Sequence, residues 1–271
     1  MTPNFKTLLD SRPMVPLQYA TLMVCFLMNM LDGMDVLVIS YTAPAIASDW
    51  GVSPETLGVV FSAGLTGMTL GTLLLAPYAD YIGRKSLILI SASIMGVCIL
   101  ATAYATSITE LIVYRFLSGL GIGSMLASTA TLAAEYTPNR TRDFWVSFVV
   151  SGYPVGAVLS GLVAAKVIPT HGWQQMYVIA GLSSLLAVPI ILLFLSESLD
   201  FLIRKQPANA LARVNKIVKK MGLNAVEELP PLEASVKGNK ASVASLFLGD
   251  YKKPTLQLWL ALFMVFAALF F

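Results

Sequence analysis

Two aspartates three residues apart, Asp32 and Asp35 in LDGMDVLVIS, stand inside an apolar run of the kind that crosses a bilayer. A carboxylate at membrane depth costs about 2.5–3.5 kcal/mol on insertion scales. The spacing puts both on one helix face, and Gly33 between them gives the backbone room to adjust. One cation answers them: Arg115 lies within a later apolar run. At helical rise, Arg115 falls roughly 10 Å below the outer end of its run, and Asp35 about 15–18 Å below the outer end of the first. These depths suit an ion pair or a water-bridged contact. Two chemistries fit. Either the charges pair and only fix helix register, or they line a water-filled cavity. There an aspartate can take up and release a proton, and a guanidinium can hold the carboxylate of an anionic substrate. Ionisable groups inside a membrane are functional candidates by default.

The elements that must position these residues are membrane helices. Of 271 residues, 56% are hydrophobic and 12% charged, against about 25% charged in soluble domains. A bilayer core about 30 Å thick takes roughly 20 apolar residues. Such runs occur at 17–46, 56–77, 86–104, 109–134, 144–167 and 173–195, and a seventh starts near 255 and reaches Phe271. Orientation follows the basic residues. With a cytoplasmic N-terminus, the inner segments hold Lys6, Arg12, Arg84, Lys85, Arg140 and Arg142, and the loop 196–254 adds ten more, sixteen of the eighteen basic residues. Trp50 and Trp173 fall at outer ends and Trp145 at an inner end, as interfacial anchors do. The long loop holds a basic amphipathic stretch, 209–222, then a Pro/Glu/Lys stretch; it predicts one or two surface helices and a linker between two bundles of spans. Small residues at four-residue spacing (Gly67 and Gly71; Gly152, Gly156 and Ser160) and the trio Gly119, Gly121 and Gly123 let helices approach closely. Such faces serve tight packing, or sliding during a conformational cycle.

Further charge gathers at three inner corners: Asp80, Arg84 and Lys85; Glu135 with Arg142; and Glu197. They read either as solvated loop ends or as a network that closes the inner side and breaks when it opens. Tyr41, Phe61 and Tyr153 are candidate aromatic contacts for a substrate, weighed against ordinary packing. A net charge of +3 with no basic-aromatic patch points away from nucleic acid. Cys25 and Cys98 lie in apolar runs and read as packing residues, so neither a disulfide nor a metal site is expected. The first apolar run is too long for a signal peptide and carries two aspartates. One histidine, His171, and no nucleophile–base set, phosphate loop or metal-ligand cluster argue against an enzyme.

The stretch APYADYIGRKSLI (76–88) resembles the signature between the second and third spans of the major facilitator superfamily. Asp80, Gly83, Arg84 and Lys85 match, while Ala76 replaces its first glycine and Tyr81 its usual arginine. RFLSGLGIGS (115–124) and EYTPNRTR (135–142) resemble the family's fourth span and its charged end. SESLDFLIRK (196–205) is similar to the Pro-Glu-Ser-Pro-Arg element, with Ser196, Leu199 and Asp200 departing from it. Asp32, Gly33 and Asp35 match the Asp-Gly-x-Asp of the aromatic acid/proton symporters, in which both aspartates and the fourth-span arginine are implicated in transport.

The resemblance implies an all-α membrane protein: the six-helix N-terminal bundle of the fold (1–195), built of two inverted three-helix repeats. A cytoplasmic loop (196–254) and the start of a truncated seventh span (255–271) follow, and the missing C-terminal six-span half would be the bundle's partner. It implies a multi-pass inner-membrane protein in contact with lipid. Its function would be proton-coupled symport of a small organic anion, a benzoate-type carboxylate, with Asp32, Asp35 and Arg115 carrying or gating the proton and no cofactor besides it. A superfamily transporter of sugars or other metabolites, and an inert half from an interrupted gene, are the alternatives.

Overall fold

The computed structural model describes residue 10, residues 12–230 and residues 251–270; Lys6, Lys237, Lys240 and most of the linker stretch lie outside them. The described residues form helices and no strands. Six helices are long and apolar enough to cross a membrane: α1 (Pro16–Trp50), α2 (Pro54–Ile82), α3 (Arg84–Thr102), α4 (Ile108–Tyr136), α5 (Asn139–His171) and α6 (Gln174–Phe194). These are the six expected spans, most of them longer than the apolar runs because polar turns extend their ends. Two short helices follow, α7 (Leu199–Lys205) and α8 (Ala210–Lys220), and belong to the same compact unit, which runs to Pro230. A separate unit from Pro231 contains α9 (Lys252–Phe270), where the seventh apolar run begins.

Local signals explain the breaks. Gly51 ends α1 in the left-handed region at φ 62°, and Ser53 with Pro54 starts α2, the serine side chain accepting the Thr56 N–H. Ser107 caps α4 by accepting from the Glu110 N–H, while Glu110 reaches back to Thr106. The lower part of α2 is irregular: a π-helical turn, Gly71–Leu75, and a 3-10 turn, Ala76–Tyr78, precede the charged corner.

The main helix contacts are α1 on α5, α2 on α4, α3 on α4, α1 on α6, α3 on α6 and α1 on α4. Exchanging α1 with α4, α2 with α5 and α3 with α6 leaves this set unchanged. That is the pattern of two three-helix repeats, and an odd number of spans per repeat inverts the second relative to the first.

The glycines are where the backbones meet. A Cβ on Gly67 or Gly71 would run into the carbonyls of Phe116 or Leu120 on α4, and one on Gly119 or Gly123 into the carbonyls of Gly64 or Met68 on α2. Gly152 and Gly156 do the same for α5 against Phe26 and Met30 of α1, and Gly121 faces Ser91 of α3. In a bilayer this close packing, rather than water exclusion, holds helices together. At the end of the bundle rich in basic residues, Val214, Ile217 and Val218 of α8 and the following Met221 are buried, and the lysines of α8 face outward. The amphipathic stretch is therefore docked protein surface.

Candidate functional site

Asp32, Asp35 and Arg115 come together in the interior of the bundle. Arg115 Nη1 donates to Asp35 Oδ1 at 2.7 Å, and Nη2 donates to the Asp35 main-chain oxygen at 3.1 Å. The guanidinium thus grips both the side chain and the backbone of one residue. Among the described residues, Asp32, one turn earlier on α1, has no hydrogen-bond partner on either carboxylate oxygen, and Asp35 Oδ2 and Arg115 Nε are likewise unpartnered. Relative exposures are 0% for Asp32, 1% for Asp35 and 5% for Arg115. The set is therefore enclosed between helices, not spread along an open cavity wall. A change of charge there has to be answered by movement of the helices that enclose it.

The tyrosines around the set divide in role. Tyr153 of α5 lies within electrostatic range of Asp32, Asp35 and Arg115. It is brought there because Gly33 lets the two backbones touch: a Cβ at Gly33 would collide with the Tyr153 carbonyl. Tyr41 ties α1 to α5, its hydroxyl donating to the Ala157 carbonyl at 3.1 Å. Phe61 is half-buried on α2 against the core. Tyr177 of α6 was not singled out from sequence, yet it is fully buried, shares a 3.0 Å hydrogen bond with Thr42 of α1, and lies within range of Arg115. Its only signal was a phenol hydroxyl within an uncharged apolar run that also carries Ser183 and Ser184.

The charged corners also converge, in two clusters. Arg84 Nε donates to Glu135 Oε1 at 2.7 Å, both side chains largely buried, while its contact to the exposed Asp80 is looser at 3.7 Å. Glu197 sits on the start of α3: its Oε1 accepts from the Lys85 N–H at 3.0 Å, where a helix N-terminus favours an anion. Oε2 lies 3.8 Å from Arg213 of α8, and the Glu197 carbonyl accepts from the Tyr136 hydroxyl at 2.7 Å. Gly83 makes this possible. Its φ of 95° favours glycine, and a Cβ there would sit 2.5 Å from Glu197 Oε2. Lys85 turns its ammonium to the Leu192 carbonyl at 2.8 Å. Arg142 makes no ion pair among the described residues, and its Nε has no partner. Of the corner residues, Arg84 with Glu135 and Lys85 with Glu197 are thus brought together, Arg142 joins neither cluster among the described residues, and Arg213 is a further cation beside Glu197.

Sequence reasoning also passed over Asn29 and Gln18. Gln18 accepts from the Val15 N–H and donates to the Tyr136 carbonyl at 2.6 Å, tying the start of α1 to the end of α4. Asn29 donates to Thr129 Oγ1 of α4 at 3.0 Å. The signal for Asn29 was present: Asn29, Asp32 and Asp35 recur every three residues along one stripe of an apolar helix. At the other end, Trp173 packs edge-on against Trp50 at 5.4 Å and donates to Asp49 at 3.1 Å. The two tryptophans anchor that end as a pair.

Comparison with known proteins agrees with this geometry. The family model described as Major Facilitator Superfamily matches residues 25–271. A gallate transporter of Pseudomonas putida is 36% identical over 262 residues, covering 96% of this chain and 58% of the relative. A 4-hydroxybenzoate transporter of Acinetobacter baylyi is 34% identical over 264 residues, covering 96% and 57%. The chain thus spans a little over half the length of these relatives. Among solved structures, the proton:xylose symporter XylE bound to 6-bromo-6-deoxy-D-glucose superposes with a TM-score of 0.68 at 22% identity, covering 76% of this chain and 50% of that one. This likeness concerns the fold. Six bilayer-length helices in two exchangeable triplets, the Gly83–Arg84–Lys85 corner and the match over nearly the whole chain lead to one conclusion: the chain is a multi-pass membrane protein that belongs to the major facilitator superfamily of transporters.

Proposed function

We propose that this chain forms the six-span N-terminal bundle of a proton-coupled symporter for small aromatic carboxylates, acting with a second six-span half. The observation that supports it most is the enclosed set of two carboxylates and one guanidinium, one carboxylate being without a partner among the described residues. The gallate and 4-hydroxybenzoate transporters among its relatives direct the substrate class. With Asp35 neutralising Arg115, an ionised Asp32 leaves the set with one net negative charge. Carrying uncompensated charge through a low-dielectric interior is costly. A proton on Asp32 brings the set to neutrality, and the helices around it can then repack between outward- and inward-facing arrangements. Arg115 holds Asp35 at rest, and its free Nε offers a donor to a carboxylate when the helices part. Tyr153 borders this site, and Phe61 and Tyr41 are weaker candidates for ring contacts.

In this reading the basic end is cytoplasmic, the membrane is the inner one, and the proton is the coupling ion with no further cofactor. The Arg84–Glu135 pair and the Glu197 cluster, with Asp80 and Lys85 at their edge, close the inner side.

The test is uptake of labelled 4-hydroxybenzoate into proteoliposomes by a transport-competent protein carrying these residues. Benzoate-type acids should compete and xylose should not, and a protonophore should abolish accumulation. Asp32→Asn should end accumulation while substrate exchange survives. Competition by xylose alone would reject the substrate class. Accumulation by Asp32→Asn, or its return in Asp32→Asn/Arg115→Gln, would reject the proton role.

A further inference from the structure

Asn29 lies one turn before Asp32 on α1, buried to 1% exposure, and the described groups fix its amide. Nδ2 donates to the Cys25 carbonyl at 2.9 Å and to Thr129 Oγ1 at 3.0 Å. A carbonyl can only accept, and the Thr129 hydroxyl already donates to the Leu126 carbonyl at 3.0 Å. Turning the amide over would set its oxygen against both, so its orientation is determined. Oδ1 is then left as a buried acceptor with no donor among the described residues. Asp32 holds two more such acceptors. Residues three apart on a helix are neighbours, and a helical side chain leans back over the preceding turn, which carries the Asp32 carboxyl towards Asn29. Two sets of orphan acceptors on adjacent turns are each costly to bury. A single proton turns one into a donor.

We propose that Asn29 is the positioning residue of the proton site: when Asp32 takes a proton from solvent, its new O–H donates to Asn29 Oδ1. This rests on Asp32 being the protonated group of the proposed symporter. The charged or titratable groups acting on Asp32 are Asp35 on its own helix and Tyr153 from α5; Arg115 from α4, Tyr177 from α6 and Cys98 from α3 act on Asp35, and Asn29 adds to the fields of the first two. Asn29 is a neutral acceptor one turn from Asp32 whose two amide donors are both used. It favours the protonated carboxyl twice, by accepting its O–H and by presenting a negative dipole end to the ionised form. Thr129 serves as the clamp that holds the amide.

The experiment is the pH profile of 4-hydroxybenzoate accumulation in proteoliposomes, using a transport-competent protein carrying these residues. Asn29→Leu, close to isosteric, removes the acceptor, so the pH of half-maximal accumulation should fall by about one unit, the equivalent of one hydrogen bond. Thr129→Val breaks the same Asn29–Thr129 bond but keeps Oδ1, and should shift the profile far less. If Asn29→Leu does not reach the membrane, Asn29→Ala reads the same shift. A profile that stays in place or moves upward in the Asn29 variants, or an equal shift in Thr129→Val, overturns the proposal. Asp32→Asn separates this failure from that of the underlying reading. If it abolishes accumulation while Asn29→Leu leaves the profile unmoved, only the role of Asn29 falls; if it accumulates normally, the proton role of Asp32 falls with it.

Discussion

Asp32 and Asp35 are chemically identical and three residues apart, yet the structure gives their neutralisation opposite consequences for stability. Asp35→Asn removes the only charged partner of Arg115 among the described residues and strands a guanidinium that is 5% exposed. Breaking one side of a buried ion pair costs roughly 3–5 kcal/mol. For a bundle of this size that is on the order of 10 °C in melting temperature. Asp32→Asn removes a carboxylate that has no partner among the described residues, so it relieves a desolvated charge and should leave the melting temperature unchanged or raise it. The two free cysteines supply the assay: Cys25 and Cys98 are buried, so a thiol-reactive dye becomes fluorescent as the detergent-solubilised bundle unfolds. Asp35→Asn/Arg115→Gln should recover most of the loss, because the stranded charge is gone, whereas Asp32→Asn/Arg115→Gln should not, because Asp35 is then stranded in turn. Equal losses for the two single variants, or no recovery in the Asp35 double variant, would refute the pairing on which this rests.

Three further outcomes are expected. A cysteine at Thr170 should react with an impermeant thiol reagent applied from outside and one at Lys219 should not; the reverse labelling overturns the orientation. An Arg84/Glu135 double-mutant cycle should give a coupling energy above the 0–1 kcal/mol typical of exposed pairs, since both partners are largely buried, whereas Arg84/Asp80 should give close to none. In the same series, neutralising Glu135 should raise labelling of inward-open forms. Gly83→Ala forces a Cβ against Glu197 in a backbone conformation that disfavours alanine, so it should lower thermal stability, and Glu197→Ala in the same background should recover part of the loss by removing the clash but not the strain.

Much of this molecule is legible in one dimension because the bilayer imposes a one-dimensional rule. A span needs a run of apolar residues of set length, so the six helices could be counted along the chain, and a charge inside a run stands out against it. Asp32, Asp35 and Arg115 were found that way, and counting rise from the helix ends placed them at compatible depth. Arg84, Glu135 and Glu197 were found as charges at the ends of runs. Gly67, Gly71, Gly119 and Gly123 were recognisable as contact faces, and the structure pairs them across α2 and α4. Depth, however, does not give azimuth. Nothing in LDGMDVLVIS says which aspartate turns towards Arg115, and periodicity treats the two alike.

That choice was made by packing. Gly33 lets α5 press against α1, the α2–α4 glycines let α4 come close, and the packed bundle brings Arg115 onto Asp35 and leaves Asp32 within range of Tyr153. The same arrangement closes the site to solvent, places Tyr177 beside it from a helix with no charge to mark it, and gives Glu197 to the start of α3 and to Arg213. Length, apolarity and buried charge are properties of a segment and can be read from it. Pairing is a property of two segments' relative rotation, which is decided by side chains and glycines tens of residues away, and only the folded bundle holds that information.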